Sequence, residues 1–202
     1  MTAENILIGR GRLYVAPLAT ANPDESTVLW GVAWGGSWVD CGKMLDGKPV
    51  SFNLGDAYKE TFTEDSLGPE KVTRIKRAPV VKASLDEFTS VNLAKVYDST
   101  AATTAAAGGG QKGYFEIPIG DDPTVTLYKW GIEGVRLDAN GNEQPVRYFL
   151  NSGYVKSVGD FTHAKATEAE IMIEIGVLAD SAVAAASRYG TLQIVTAAAT
   201  AT

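Results

Sequence analysis

Cysteine and histidine each occur once in this chain of 202 residues, at Cys41 and His163. A single cysteine excludes an intrachain disulfide, and a single histidine excludes metal sites built on several histidines. No apolar run approaches the roughly 18–20 residues that a membrane-spanning helix needs. No basic region followed by an apolar core stands at the N-terminus, so no signal peptide is expected. Positive charge is in deficit as well, with 18 Lys and Arg against 24 Asp and Glu and a net charge of −6. Such a surface argues against a protein that holds nucleic-acid phosphates tightly. The expectation is a soluble chain made in the cytoplasm, which leaves open its later place in an extracellular particle.

What the chain does have is β-patterning, concentrated between Pro49 and Tyr97. Val50, Phe52 and Leu54 alternate with Ser51 and Asn53, the period-two signal of a half-buried strand. After Gly55 the alternation resumes with Tyr58 and Phe62 among Lys59, Thr61 and Thr63. Ser66-Leu67-Gly68-Pro69 signals a turn. A return arm follows from Lys71 to Leu85, with Val72 and Ile75 among its charges. A hairpin of this length needs further strands, or a neighbouring subunit, to cover it. Ser84-Leu85-Asp86-Glu87 then matches a capping box and predicts a helix that ends at Tyr97-Asp98.

Elsewhere the chain reads as one mainly β domain over residues 1–202, a sandwich or barrel with a single packed helix. Strands are expected at 12–16, 114–118, 124–130, 135–137, 146–150, 170–178 and 191–195, with Asn140-Gly141 as a hairpin turn. In 170–178, Ile171, Ile173, Ile175 and Val177 share one face. Trp30, Trp34 and Trp38 have helical spacing, but Gly31, Gly35 and Gly36 speak against a helix. An irregular or strand segment whose aromatics pack on the core is expected there. The Ala/Thr/Gly-rich stretch 99–113 is expected to be a flexible loop, and residues 1–10 and 196–202 terminal arms.

Catalytic patterns are weak. Gly108 to Gly113 formally fits G-x-G-x-x-G, but lacks the preceding strand and following helix that place pyrophosphate on a helix N-terminus. Asp138, Asn140 and Asn142 imitate a calcium loop whose sixth and twelfth positions hold Glu143 and Phe149 instead of Gly and Glu. The stretch Gly35-Gly36-Ser37-Trp38-Val39 lacks the final glycine of a nucleophile elbow. Cys41 reads as a small buried residue and His163 as a polar strand residue. No enzyme, cofactor or metal site is expected.

The order of parts resembles the major tail tube proteins of long-tailed, siphovirus-like bacteriophages. The residues that carry the resemblance are Trp38 to Gly42 with Asp46-Gly47, the long hairpin, and the helix opening at Leu85-Asp86-Glu87. Gly176 to Asp180 and Tyr189 to Leu192 complete it. The resemblance implies rings, usually hexamers, whose hairpins join edge to edge into an intersubunit β-barrel. The rings stack into a hollow tube around a tape-measure protein, closed by terminator and tail-tip proteins. DNA passes through the lumen without tight binding, and the protein belongs to the virion.

On this reading Val50, Phe52, Leu54, Tyr58, Thr61, Phe62, Val72 and Ile75 form the assembly hairpin. An arm of about a dozen residues would reach roughly 40 Å. Asp56, Glu60 and Glu64 are candidates for charges on the channel wall, where negative potential keeps phosphates from sticking. The alternatives are a tail terminator, a secretion-system tube subunit, or a monomeric β-sandwich that binds glycans through its tryptophans.

Overall fold

The computed structural model describes residues 7–23, 30–42, 44, 50–62, 64, 68–85, 89–99, 103–120, 123–137, 141–159 and 171–195. The fold is mainly β with one helix. Its strands are β1 (Leu7–Pro17), β2 (Val39–Asp40), β3 (Ser51–Asn53), β4 (Asp56–Thr61), β5 (Lys71–Arg77) and β6 (Val80–Leu85). The helix α1 (Ser90–Val96) follows, then β7 (Thr103–Ala105), β8 (Tyr114–Glu116), β9 (Tyr128–Leu137), β10 (Glu143–Val158), β11 (Ile171–Val177) and β12 (Gly190–Ile194).

Eight strands make one antiparallel sheet in the order β2-β1-β9-β10-β11-β6-β3, with β12 also paired to β10. Strand β10 organises the sheet. Its first half lies between β9 and β12, and its second half pairs with β11. Register shifts between Leu150 and Gly153, and again between Val155 and Ser157, mark bulges that bend this strand. The sheet closes over a core of Leu13, Val15, Trp130, Ile132 and Leu150 with Val81, Leu85, Ile171, Ile173 and Ile175. Ile171, Ile173, Ile175 and Val177 are all buried while Met172 is exposed, as their alternation requires.

The opposite face of β1, β9 and β10 carries a second cluster. Tyr14, Gly131 and Phe149 lie side by side in register. Trp34 stacks on Tyr14 with ring centroids 4.0 Å apart, and Trp38 meets Trp34 edge-on at 5.0 Å. Gly131 makes room for this, since a Cβ there would stand 2.3 Å from the Trp34 ring. In the next register row Arg12, Glu133 and Arg147 are neighbours. Glu133 and Arg147 are fully buried and joined at 3.0 Å, and Glu133 also accepts from Trp34 Nε1 at 3.3 Å and from Tyr14 at 3.4 Å. Segment 30–38 is therefore an irregular cover pinned to the sheet by its tryptophans.

Four expectations need correction. Ser84 does not cap a helix; it is a buried residue of β6 opposite Met172, because sheet pairing with β11 runs through Leu85. The helix starts one turn later, where Thr89 Oγ1 accepts from the Asn92 amide at 3.1 Å. Strand β9 begins only at Tyr128, the preceding Thr126 amide being held by the Asp98 carboxylate at 3.0 Å. The stretch 99–113, expected to be a loop throughout, supplies β7, which pairs with β8. Gly109 and Gly110, both at positive φ between the bridged Gly108 and Gln111, form its turn. Leu7 to Arg10, assigned to a terminal arm, begin β1 instead, because Leu7 and Ile8 pair with Arg136 and Val135. Residues 1–6 and 196–202, Asp138, Asn140 and His163 lie outside the described residues.

Candidate assembly surface

The return arm expected from Lys71 to Leu85 is two strands in two sheets. Strands β3 and β6 pair at the edge of the main sheet, whereas β4 and β5 pair only with each other. The chain leaves the main sheet at Leu54-Gly55 on one arm and Ala78-Pro79 on the other. Gly55 sits at φ +58, and a Cβ there would stand 2.3 Å from the Ala78 carbonyl oxygen. Only glycine meets both conditions without strain. Its amide donates to Asn53 Oδ1 at 2.7 Å, and its carbonyl accepts from the Ala78 amide at 3.3 Å. Pro79 brings no amide hydrogen to the ladder, but its carbonyl accepts from the Val177 amide at 3.0 Å.

Just beyond this break the ribbon is clamped. Arg77 donates to the Asp56 carboxylate through Nε and Nη2, both at 2.6 Å. Tyr58 donates its hydroxyl to the same carboxylate at 3.1 Å, and Arg74 stands 3.4 Å away. The hydrogen bonds from Arg77 chiefly hold the Asp56 carboxyl down at about 2. Tyr189 donates its hydroxyl to the Arg77 carbonyl at 3.0 Å, tying the ribbon's base to the start of β12.

Register assigns the ribbon's two faces. Tyr58 lies opposite Arg74 and Glu60 opposite Val72, so these four share a face with Asp56 and Arg77. Phe62 follows β4 in step with them. Ala57 opposite Lys76, Lys59 opposite Thr73 and Thr61 opposite Lys71 form the other face. Ile75 is the extra residue at the register shift. One face thus sets Tyr58, Val72 and Phe62 among Asp56, Glu60, Arg74 and Arg77, and the other presents three lysines. Tyr58 is 53% exposed, Phe62 60%, Val72 57% and Ile75 64%.

Of the expected assembly residues, Tyr58, Thr61, Phe62, Val72 and Ile75 come together on this ribbon. Val50 and Phe52 pack on the core, Phe52 against Tyr148 at 5.5 Å, as the period-two pattern of a half-buried strand requires. Leu54, expected to pack inward with them, is exposed, because β3 ends at Asn53. Of the expected channel charges, Asp56 is engaged by two arginines, Glu60 is exposed beside Val72, and Glu64 is exposed near the turn. The strands themselves are basic, with Lys59, Lys71, Arg74, Lys76 and Arg77 against Asp56 and Glu60. Six residues at about 3.3 Å each extend roughly 20 Å, half the reach expected from an unbroken arm. The clamp escaped the sequence reading, because Asp56 and Arg77 are 21 residues apart and meet only once the register is known.

Two further ionisable groups among the described residues, Cys41 and Glu174, are set by their surroundings. Burial pushes the Cys41 thiol up to about 12, so it stays protonated. Lys156 and Lys82 hold Glu174 below its ordinary range from 2.5 and 3.4 Å. No three His, Cys, Asp or Glu side chains gather as a metal site among the described residues. Among those residues, too, no helix is long and apolar enough to cross a membrane. No protein-family model matches the chain, and no curated protein is significantly similar to it.

Proposed function

We propose that this chain is a self-assembling structural subunit of a bacteriophage tail tube. Its copies close into rings through the β4–β5 ribbon, and the rings stack around a tape-measure protein into a channel for DNA. The observation that carries the reading is the ribbon itself. It leaves its own sheet at a glycine hinge, is held out by the Asp56–Arg77 clamp, and exposes Tyr58, Phe62 and Val72 on one side. An isolated two-stranded ribbon is marginal in water. Phe62 and Val72 are a little over half exposed, so covering the remainder of each would contribute on the order of 1–1.5 kcal/mol, about half the value for full burial, and a ring repeats that contact at every subunit.

The glycan-binding alternative is less well supported, since Trp34 and Trp38 of the cover segment are buried against the sheet and of the three tryptophans only Trp30 is partly exposed. Negative-stain microscopy and light scattering test the proposal: purified protein forms rings or filaments. Thr61→Pro removes a ladder donor in β4, and the variant is expected to remain a folded monomer. Strict monomers of the unmodified chain at high concentration, or polymers of the proline variant, would overturn the reading. A tail terminator would stop at single rings, where a tube subunit of a tail or secretion system grows filaments.

A further inference from the structure

Strands β11 and β12 both pair with the side of β10 that faces away from β9, one along each half of it. They therefore follow one another in a single lane of the sheet. Strand β6 fills the next lane beside β11, with Val80 opposite Gly176. Extended backwards past Pro79 and Ala78, that second lane would run beside β12. The segment that would fill it is β5, but β5 turns out of the sheet at this point and pairs with β4 alone. The Tyr189–Arg77 hydrogen bond marks where it departs.

The outer edge of β12 is thus left without a strand among the described residues, and its own residues carry none of the usual edge protection. Soluble proteins protect sheet edges with lysines, prolines, bulges or very short strands. The edge strands β2 and β3 are two and three residues long. Strand β12 has five residues, Gly190-Thr191-Leu192-Gln193-Ile194, with no charge and no proline. Leu192 and Ile194 are each about half exposed, on the face they share with Tyr148 and Val146.

We infer that β12 is the receiving edge for one arm of the β4–β5 ribbon of a second copy, an inference that rests on the tail-tube reading. The vacated lane is sized for such an arm, because the same copy's β5 is the segment that left it. Arms of six and seven residues match an edge of five. Main-chain hydrogen bonds along the edge supply the attachment, as in strand addition generally. Tyr58, Phe62 and Val72 then cover Leu192 and Ile194. Donor and receiver are different surfaces of one chain, so each copy gives one ribbon and accepts one, the head-to-tail arrangement that forms a ring when the rotation between copies closes. The face carrying Lys59, Lys71 and Lys76 turns away from the contact.

The test mixes two half-blocked variants of the full chain. Leu192→Lys with Ile194→Lys charges the receiving edge and keeps the ribbon; Phe62→Asp with Val72→Asp spoils the ribbon and keeps the edge. Circular dichroism and melting confirm that each is folded, and Leu192→Lys alone replaces the double variant if that misfolds. Neither variant is expected to assemble alone at ten times the concentration that suffices for the unmodified chain. Mixed, they give a heterodimer by light scattering, through the one intact contact. Full assembly of the edge variant, or folded variants that form no heterodimer, would overturn the inference while leaving the tail-tube reading standing. An unmodified chain that stays monomeric would overturn both.

Discussion

Asp56 and Arg77 face each other in the first register row of the ribbon and share two hydrogen bonds of 2.6 Å. This pair stands immediately beyond the point where both arms leave the main sheet. A bidentate guanidinium–carboxylate contact fixes direction as well as distance, so it holds the ribbon's exit angle with little help from the core.

The Asp56 carboxyl lies at about 2 in the fold, against an ordinary 3.8. A depressed carboxylate stabilises the folded arrangement above its unfolded value, and that contribution is lost as pH falls through the folded one. The clamp is therefore complete above about pH 4 and gone once pH has fallen through about 2. Carbon-detected NMR of the Asp56 carboxyl should show a midpoint near 2; a midpoint near 3.8 would mean that the clamp does not form in solution. Asp56→Asn should weaken ring formation at neutral pH while shifting the melting temperature of the body by less than about 2 °C.

Gly55→Ala should be harsher than its size suggests. The residue sits at φ +58, and the new methyl group would lie 2.3 Å from the Ala78 carbonyl oxygen. Backbone held in a sparsely populated region costs of order 1–3 kcal/mol, and here the carbonyl must also move. The expected outcome is a less stable chain whose ribbon leaves at another angle and whose assembly fails. Urea unfolding and microscopy of the same preparation read both effects, and wild-type assembly by this variant would count against a fixed exit angle.

How much of this was legible beforehand depends on the distance over which each feature is decided. Alternation from Ile171 to Val177 is local, and it gave both the strand and its buried face. Alternation also puts Asp56, Tyr58, Glu60 and Phe62 on one side of β4, so the apolar face and the carboxylates were never separable there. By contrast, Pro145 and Asn151-Ser152-Gly153 look like breaks, yet β10 runs through them by bulging. The capping box at Ser84 was overridden by pairing with β11, a partner nearly ninety residues away. The detachment of the ribbon depends on Gly55 meeting Ala78, and no pattern within either arm announces that contact.

Gly131→Ala probes the tryptophan cover. The added methyl group meets the Trp34 ring at 2.3 and 2.7 Å and the Trp38 ring at 3.2 Å. Overpacking of this kind costs typically 1–3 kcal/mol, and the rings rather than the sheet should yield. Tryptophan emission should shift to the red as Trp34 lifts into water, with the far-ultraviolet dichroism of the sheet preserved. An unchanged emission maximum would mean that segment 30–38 is not held against Gly131.

The Glu133–Arg147 pair predicts the largest single loss of stability. Both side chains are fully buried, 3.0 Å apart, in the row next to the Tyr14–Trp34 stack. Glu133→Gln keeps one acceptor oxygen for Trp34 while its amide nitrogen, a donor only, takes the position that faced the Tyr14 hydroxyl, and the guanidinium of Arg147 loses the charge of its buried carboxylate partner. Breaking one side of such a pair costs about 3–5 kcal/mol, which urea unfolding measures directly. Replacing both, with Glu133→Gln and Arg147→Met, removes the stranded charge and should recover part of that loss, because apolar replacement of a whole buried pair is often close to neutral. A double variant no more stable than Glu133→Gln would show that Arg147 serves the fold through its other contacts rather than through this ion pair. Since the pair lies on the face covered by Trp34, opposite to the face on which Leu192 and Ile194 stand, the double variant should still form rings, which separates the stability of the body from the assembly of its copies.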